Sequence, residues 1–337
     1  MAIVLNEQVA IRGIAAAVPT ARRLNDDIGG PEERAYVEKM SATVGVRERR
    51  IVSEGQLGSD LAEQAALSVL DRLGWEAESI DLLIVATQTP DRLFPGTSFL
   101  LHRRLALRQD CVVFDINLGC SAFTHGLWTT ASLLHSVGTR ALLINVDTMS
   151  RTLGMHDWGN QVLFGDAATA TALEVDACAP VIRGVLLSDG KGTESVCLPN
   201  SGMTASANRT PEFIINGPAV LGLALRSVPR IVQTLIDSSG VALSDVGLFV
   251  PHQANLFILD KLTDRLKIPS DRVIVTMEHF GNTSSASIPL ALCAATDAVA
   301  AADRQHTMMI GFGTGFSLSG MIADLRETQF VAPVDVA

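Results

Sequence analysis

Cys120 lies in 114-FDINLGCSAFTHGLW-128, where an apolar run gives way to a helical pattern and Gly, Ser and Ala crowd the thiol. Two readings compete. Free cysteine is among the most buried residue types, and small neighbours alone indicate a tight strand–helix crossing. At the end of a strand and the start of a helix, the same residue is a nucleophile. Small neighbours then admit a substrate, and the unpaired first-turn N–H groups point at it. The attacking species is the thiolate, and a Cys of pKa about 8.5 is only a few per cent ionised at neutral pH. A helix N-terminus contributes typically about 0.3–1 kcal/mol, which is less than one pK unit. A base or cation is therefore expected beside the thiol.

The elements that would position it follow a layered α/β pattern, in which short β-branched runs alternate with helical stretches. Strands are expected at 81–87, 111–117, 141–146, 247–252, 272–277 and 307–312, and helices at 60–73, 121–137, 218–238, 255–266 and 285–301. The chain also resembles itself. The segment 73-LGWEAESIDLLIVATQ-88 matches 239-SGVALSDVGLFVPHQA-254, 140-RALLINV-146 matches 307-TMMIGFG-313, and 119-GCSA-122 falls against 281-GNTS-284. These offsets of 166, 167 and 162 residues are all close to half the chain, so two βα halves related by a pseudo-twofold axis are expected, the second beginning near residue 176. Ligands of open α/β sheets gather at strand C-terminal ends, which places a site where the halves meet. The offset sets Ala86 against His252 and Cys120 against Asn282, so His252 and Asn282 should reach the cleft that holds the thiol.

Composition narrows the class. With 337 residues, 47% hydrophobic and 18% charged, the chain is globular, and a net charge of −10 argues against a general nucleic-acid binder. No apolar run reaches the roughly eighteen residues that span a bilayer, so no membrane association is expected. The start, MAIVLNEQVAIRG, has no basic n-region and carries Glu7, so no signal peptide is expected. Five cysteines without a C-x-x-C pair suggest neither a disulfide framework nor a zinc site, and a reduced cytoplasmic protein without metal is the expectation.

The set GCSAF, VPHQAN, FGNTSSAS and FGTGFS resembles the ketoacyl-ACP synthase III family of the thiolase superfamily, over nearly the whole chain from 44-VGVRERR-50 through 164-FGDAATA-170 to 311-GFGTGFS-317. The resemblance implies a thiolase-like α/β fold. Its two pseudo-symmetric βα halves, 1–175 with the Cys and 176–337 with the His and Asn, would stack as α/β/α/β/α layers. It implies that Cys120 accepts an acyl group from a thioester, while His252 and Asn282 bind a malonyl thioester and stabilise the enolate left by loss of carbon dioxide. Backbone N–H groups of Cys120 and Thr314 would form the oxyanion hole; Thr314 interrupts what is usually a run of glycines. Phe312, Trp158 and Phe94 would shape the substrate pocket, Phe94 by crossing a homodimer interface, with core packing as its other reading. Asn255 would accompany His252 or cap a helix. Acyl-CoA, malonyl-CoA or acyl carrier protein would be substrates, with no cofactor.

Several positions depart from the family. Its Trp six residues before the Gly of TG-[I/V]-x-E-R is Lys39 here, its Thr is Val44, its Arg in D-R-G is Trp158, and its Arg after HQAN is Phe257. Lys261, Arg265 and Lys267, with Arg272, leave that region basic, as a carrier-docking surface or an ordinary solvated helix face. A specialised relative taking a longer or unusual primer is the expectation. Arg47, Arg49 and Arg50 meet phosphate or face water. Asp166 forms a tight turn, His125 and His135 are packing or surface residues, and His102, His156, His279 and His306 have no assigned partner. Cys, His and Asn in this order also suit a papain-like protease, but that family's Cys signature is absent and it has no use for two symmetric halves. Transfer of the acyl group to an alcohol or amine without carbon–carbon bond formation is the nearer alternative, and a non-catalytic partner subunit the third.

Overall fold

The computed structural model describes residues 1–206 and 212–337. Strand Leu82–Ala86 is buried along its whole length and so must be covered on both faces. It belongs to a six-stranded sheet in the order Gln329–Val336, Val9–Pro19, Asp166–Val175, Arg140–Thr148, Leu82–Ala86, Val112–Ile116. A five-stranded sheet runs Ala2–Asn6, Ile182–Ser188, Ser317–Ala323, Thr307–Gly313, Leu248–Pro251. The repeat found in the sequence is visible in the pairing. Leu82–Ala86 pairs in parallel with Arg140–Thr148, and its counterpart Leu248–Pro251 pairs in parallel with Thr307–Gly313. Each second strand then takes an antiparallel neighbour, Asp166–Val175 or Ser317–Ala323. The chain ends cross over: Ala2–Asn6 completes the second sheet and Gln329–Val336 the first.

Five layers result. Helix Gly58–Leu73 covers one face of the first sheet through Leu61, Ala65 and Val69. Helices Ala122–Val137 and Ser287–Ala294 fill the centre, where both sheets bury their facing sides in one apolar cluster. Helices Gly217–Ser239 and Leu256–Leu266 cover the second sheet's outer face. Among the described residues, Gly217–Ser239 is the one helix long and apolar enough to cross a membrane, but Leu223, Val228, Ile231 and Leu235 are buried against the sheet, so it is a core helix.

Two elements differ from the sequence reading. The run 272–277 is not a strand: one bridge joins Val273 to Phe249, and the chain turns into the short helix Met277–Phe280. The Gln253 amide takes over the lost pairing, donating to the Ile274 carbonyl and accepting from the Thr276 N–H, so residues 281–287 are free to turn into the cleft. The helix expected over 285–301 breaks at Ala295 (φ −94°, ψ 44°), where the chain passes from wholly buried Ser287–Cys293 to exposed Asp297.

Candidate active site

Cys120 lies between the end of strand Val112–Ile116 and the first turn of helix Ala122–Val137. That turn is fastened to the other half: Ser121 Oγ meets Ser317 Oγ at 2.5 Å, the Thr124 and Ser319 hydroxyls are hydrogen-bonded, and Ser319 Oγ also lies 2.9 Å from His125 Nδ1. His125 is thus a half-buried packing residue, and the thiol stands at the seam between the halves. Strand Thr307–Gly313 passes so close that a Cβ on Gly313 would sit 2.5 Å from Cys120 Cβ and 3.0 Å from Sγ. Only glycine leaves the sulfur open there.

His252 follows strand Leu248–Pro251 and is 2% exposed. Its N–H donates to the Ile310 carbonyl at 2.7 Å, and its ring stands edge-on to Phe312, centroids 5.5 Å apart. Phe312 is therefore a buried wall behind the imidazole, not an open pocket lining as the sequence suggested; the T-shaped contact and the apolar cluster around it account for its burial. Ser287 Oγ lies 2.7 Å from His252 Nδ1. When that hydroxyl donates, the neutral ring carries its proton on Nε2. Beside Nε2, at 3.5 Å, is the Asn282 amide nitrogen. Gly281 (φ +67°) provides the left-handed turn that presents Asn282, whose N–H donates to the Leu163 carbonyl at 2.8 Å. Asn282 Oδ1 accepts from the Ser284 N–H at 2.9 Å, and the Ser284 hydroxyl bonds the Cys120 thiol. Cys120, His252 and Asn282 thus converge through a short series of contacts from three separate elements.

The electrostatics differ from what the sequence suggested. Among the described residues no cation draws the thiol proton away. Burial pushes Cys120 up to about 12, and Asp147, held by Thr87, Thr89 and the Gln88 and Ser285 N–H groups, pushes the same way. Burial also drives His252 down to about 3, so it is a neutral donor, not an imidazolium. The resting pair is thiol and neutral imidazole. Because the thiolate fraction then grows tenfold per pH unit below the pKa, iodoacetamide alkylation of Cys120 should rise steadily from pH 7 to about pH 10 without levelling. Peptide mapping resolves it from exposed Cys178; a plateau with a midpoint below pH 9 would contradict this environment.

The Cys120 N–H turns toward its own sulfur, and Thr314 opens the turn Thr314–Phe316 directly after Gly313, whose backbone passes against Cys120. Asn255 is a helix cap, its Oδ1 accepting from Ile258 N–H at 2.8 Å, and it also lines a cavity of about 550 Å³ with Tyr36, Met40, Trp158 and Leu163. Leu163 is the acceptor for Asn282, so this cavity abuts the site. Phe94 is 84% exposed, which rules out core packing; its neighbour Leu93 and Phe99 are exposed as well, and none of the three lines that cavity. Lys261, Arg265 and Lys267 are exposed near helix Leu256–Leu266, interleaved with Asp260 and Asp264. Arg272 instead holds the Ser244 and Val246 carbonyls. Sequence reasoning missed Ser284, Ser287, Asp147 and Gln88. The run GNTSSAS contained the two serines, but small polar residues in a loop carry no signal of which side chain turns inward.

Two α/β halves stacked about a buried helical layer, with a thiol at their seam, define a protein of the thiolase fold. The sequence profile of the 3-oxoacyl-(acyl-carrier-protein) synthase III family matches residues 114–190, and that of its C-terminal region residues 236–325. A beta-ketoacyl-(acyl-carrier-protein) synthase III of Neisseria meningitidis is 32% identical over 313 residues, 93% of this chain and 98% of the relative. A crystal structure of a 3-oxoacyl-(acyl-carrier protein) synthase from Burkholderia xenovorans superposes with a TM-score of 0.93 at 30% identity, covering 99% of each chain. The priming beta-ketosynthase of the R1128 polyketide biosynthetic pathway superposes with a TM-score of 0.83 at 27% identity, covering 94% of this chain and 96% of its own. The chain belongs to the 3-oxoacyl-(acyl-carrier-protein) synthase III family.

Proposed function

We propose that the protein is an acyltransferase that joins two thioesters by decarboxylative condensation in fatty-acid or secondary-metabolite biosynthesis. Cys120 attacks the carbonyl of an acyl-CoA or acyl-carrier thioester, with the N–H groups of Cys120 and Thr314 stabilising the tetrahedral oxyanion. The carbon–sulfur bond to the donor breaks, the thiol proton leaves with the departing thiol, and the acyl group stays on Cys120. A malonyl thioester then loses carbon dioxide. The electron pair of the broken bond becomes an enolate, whose oxygen is met by His252 Nε2–H and the Asn282 amide. The enolate carbon attacks the Cys120 thioester, the carbon–sulfur bond breaks to release the β-ketoacyl product, and the Cys120 thiolate that leaves takes a proton from water to restore the thiol.

The observation that carries this reading is the neutral His252 beside the Asn282 amide nitrogen at 3.5 Å, two donors not spent on the nucleophile. Exposed Leu93, Phe94 and Phe99 and the exposed edge of strand Val112–Ile116 support a homodimer. Lys261, Arg265 and Lys267 support docking of an acidic carrier, in a cytoplasmic setting. Trp158 in the cavity lining, and Lys39 next in sequence to the lining residue Met40, support a donor other than acetyl-CoA. The test is intact-protein mass spectrometry with a panel of acyl-CoA and acyl-carrier donors, followed by a malonyl-carrier chase. The expected result is an adduct that malonyl-carrier discharges into a β-ketoacyl product, with acetyl-CoA a poor donor by kcat/KM. An adduct that leaves only with an alcohol or amine would replace condensation by simple acyl transfer.

A further inference from the structure

Arg49 is 5% exposed, yet it is poorly partnered. Its Nε donates to Asn25 Oδ1 at 2.7 Å, while its two terminal nitrogens have no hydrogen-bond acceptor among the described residues. Buried Asp166 acts on Arg49 through its charge, but its hydrogen bonds are taken up by Ser150 and the Val52 N–H. Arg49 instead lines a cavity of about 340 Å³, and Arg23, like Arg49 without an ion pair among the described residues, lines the same cavity and adds like charge. A guanidinium removed from water keeps its charge at a cost unless an acceptor meets it, and here burial pushes Arg49 down to about 10. The neighbouring Arg50 differs: its guanidinium is taken up by the Pro19 carbonyl and Asp335. Leu24, Ile28, Leu153 and Trp158 supply apolar wall, Ser150 and Gln161 line it as neutral polar residues, and Asp27 is the one carboxylate among the lining residues.

We propose that Arg49 and Arg23 form an anion-binding site, separate from the cysteine cleft, for an organic anion whose head meets the two guanidinium groups and whose apolar body rests on Leu153 and Trp158. The planar fork of Arg49 has two free arms, which suits a carboxylate or phosphate oxygen pair. The volume suits a small metabolite. The pocket touches the reaction centre at two points. Trp158 also lines the cavity beside Asn282, and the Arg49 stem packs on Gly281, where a Cβ would lie 3.1 Å from Arg49 Cγ. An occupant would therefore hold the mouth and the Asn282 turn from behind, the position of an effector.

Isothermal titration of the full-length protein with sodium phosphate and with octanoate, at low ionic strength, tests the site. The expected result is saturable binding of at least one probe; phosphate alone indicates a phosphate head, and octanoate alone a carboxylate head with an apolar tail. Arg23→Glu, at an exposed position, should weaken binding about tenfold or more, as should Arg49→Lys, which keeps charge but loses the fork. Melting temperatures confirm that both variants fold. No saturable binding of either probe, or binding indifferent to both variants, overturns the proposal. Displacement of the probe by unacylated coenzyme A would also overturn it, by assigning the pocket to the donor thioester. Loss of condensation in the donor panel would leave this result unchanged, so the two readings fail separately.

Discussion

Cys120→Ala should form no acyl adduct with any donor, and its condensation rate should fall by on the order of a millionfold, as when a covalent nucleophile is removed elsewhere. The size of the loss follows from the site. No second thiol stands at the seam among the described residues: Cys293 is buried in the central apolar cluster and hydrogen-bonds the Ile14 carbonyl, and Cys111 lies in the other cluster, pushed up by burial to about 11. Stability should change little, because the half-buried thiol is uncharged at rest and the fasteners of its helix turn belong to Ser121 and Thr124. Release of carbon dioxide from a malonyl thioester should persist, since His252 and Asn282 keep their partners. Intact mass and carbon dioxide release measure the two halves of the reaction separately. An adduct of undiminished mass on the variant would move the nucleophile elsewhere.

What the sequence disclosed depended on how far each feature could be read from local pattern. The repeat of 73–88 in 239–254 placed His252 at a strand end facing Cys120, because the offset carries both the strand and its C-terminal direction. The pairing of Leu82–Ala86 and Leu248–Pro251 repeats accordingly. The β-branched run at 272–277 misled. There the second half replaces a strand by Gln253 side-chain bonds, a substitution between a glutamine and a segment 21 residues away that no periodicity reports. Strands Val9–Pro19 and Gln329–Val336, which join chain ends across the first sheet, were invisible for a related reason: their pairing is fixed by contacts at great sequence separation. Asn255 shows the opposite case. An Asn before a helical run is a cap on its own local evidence, and its bond to the Ile258 N–H is that role. The charge state of Cys120 needed burial and the position of Asp147, neither of which is local.

His252→Ala should leave acylation of Cys120 intact and slow condensation about a hundred- to a thousandfold, the loss typical of one donor to a developing oxyanion. His252 does not touch the thiol through any hydrogen bond; its partners are Ser287 and the Asn282 side. Asn282→Ala should cost a similar factor in condensation but also disturb acylation, since Asn282 Oδ1 fixes the Ser284 N–H and Ser284 holds the thiol. Asn282→Asp separates the two duties: it keeps the acceptor for Ser284, loses the amide donor, and places negative charge where the enolate oxygen must form. The variant should therefore acylate well and condense poorly. The two donors meet one oxygen, so the double variant His252→Ala/Asn282→Ala should lose less than the product of the single losses. The pH profile supplies an independent check. Burial holds His252 down to about 3, so the ring is neutral throughout pH 5–8 and condensation of preformed acyl-enzyme should show no acid limb from it. A limb centred near pH 6.5 that vanished in His252→Ala would mean that the imidazole gains its proton in the working site and acts there as a base.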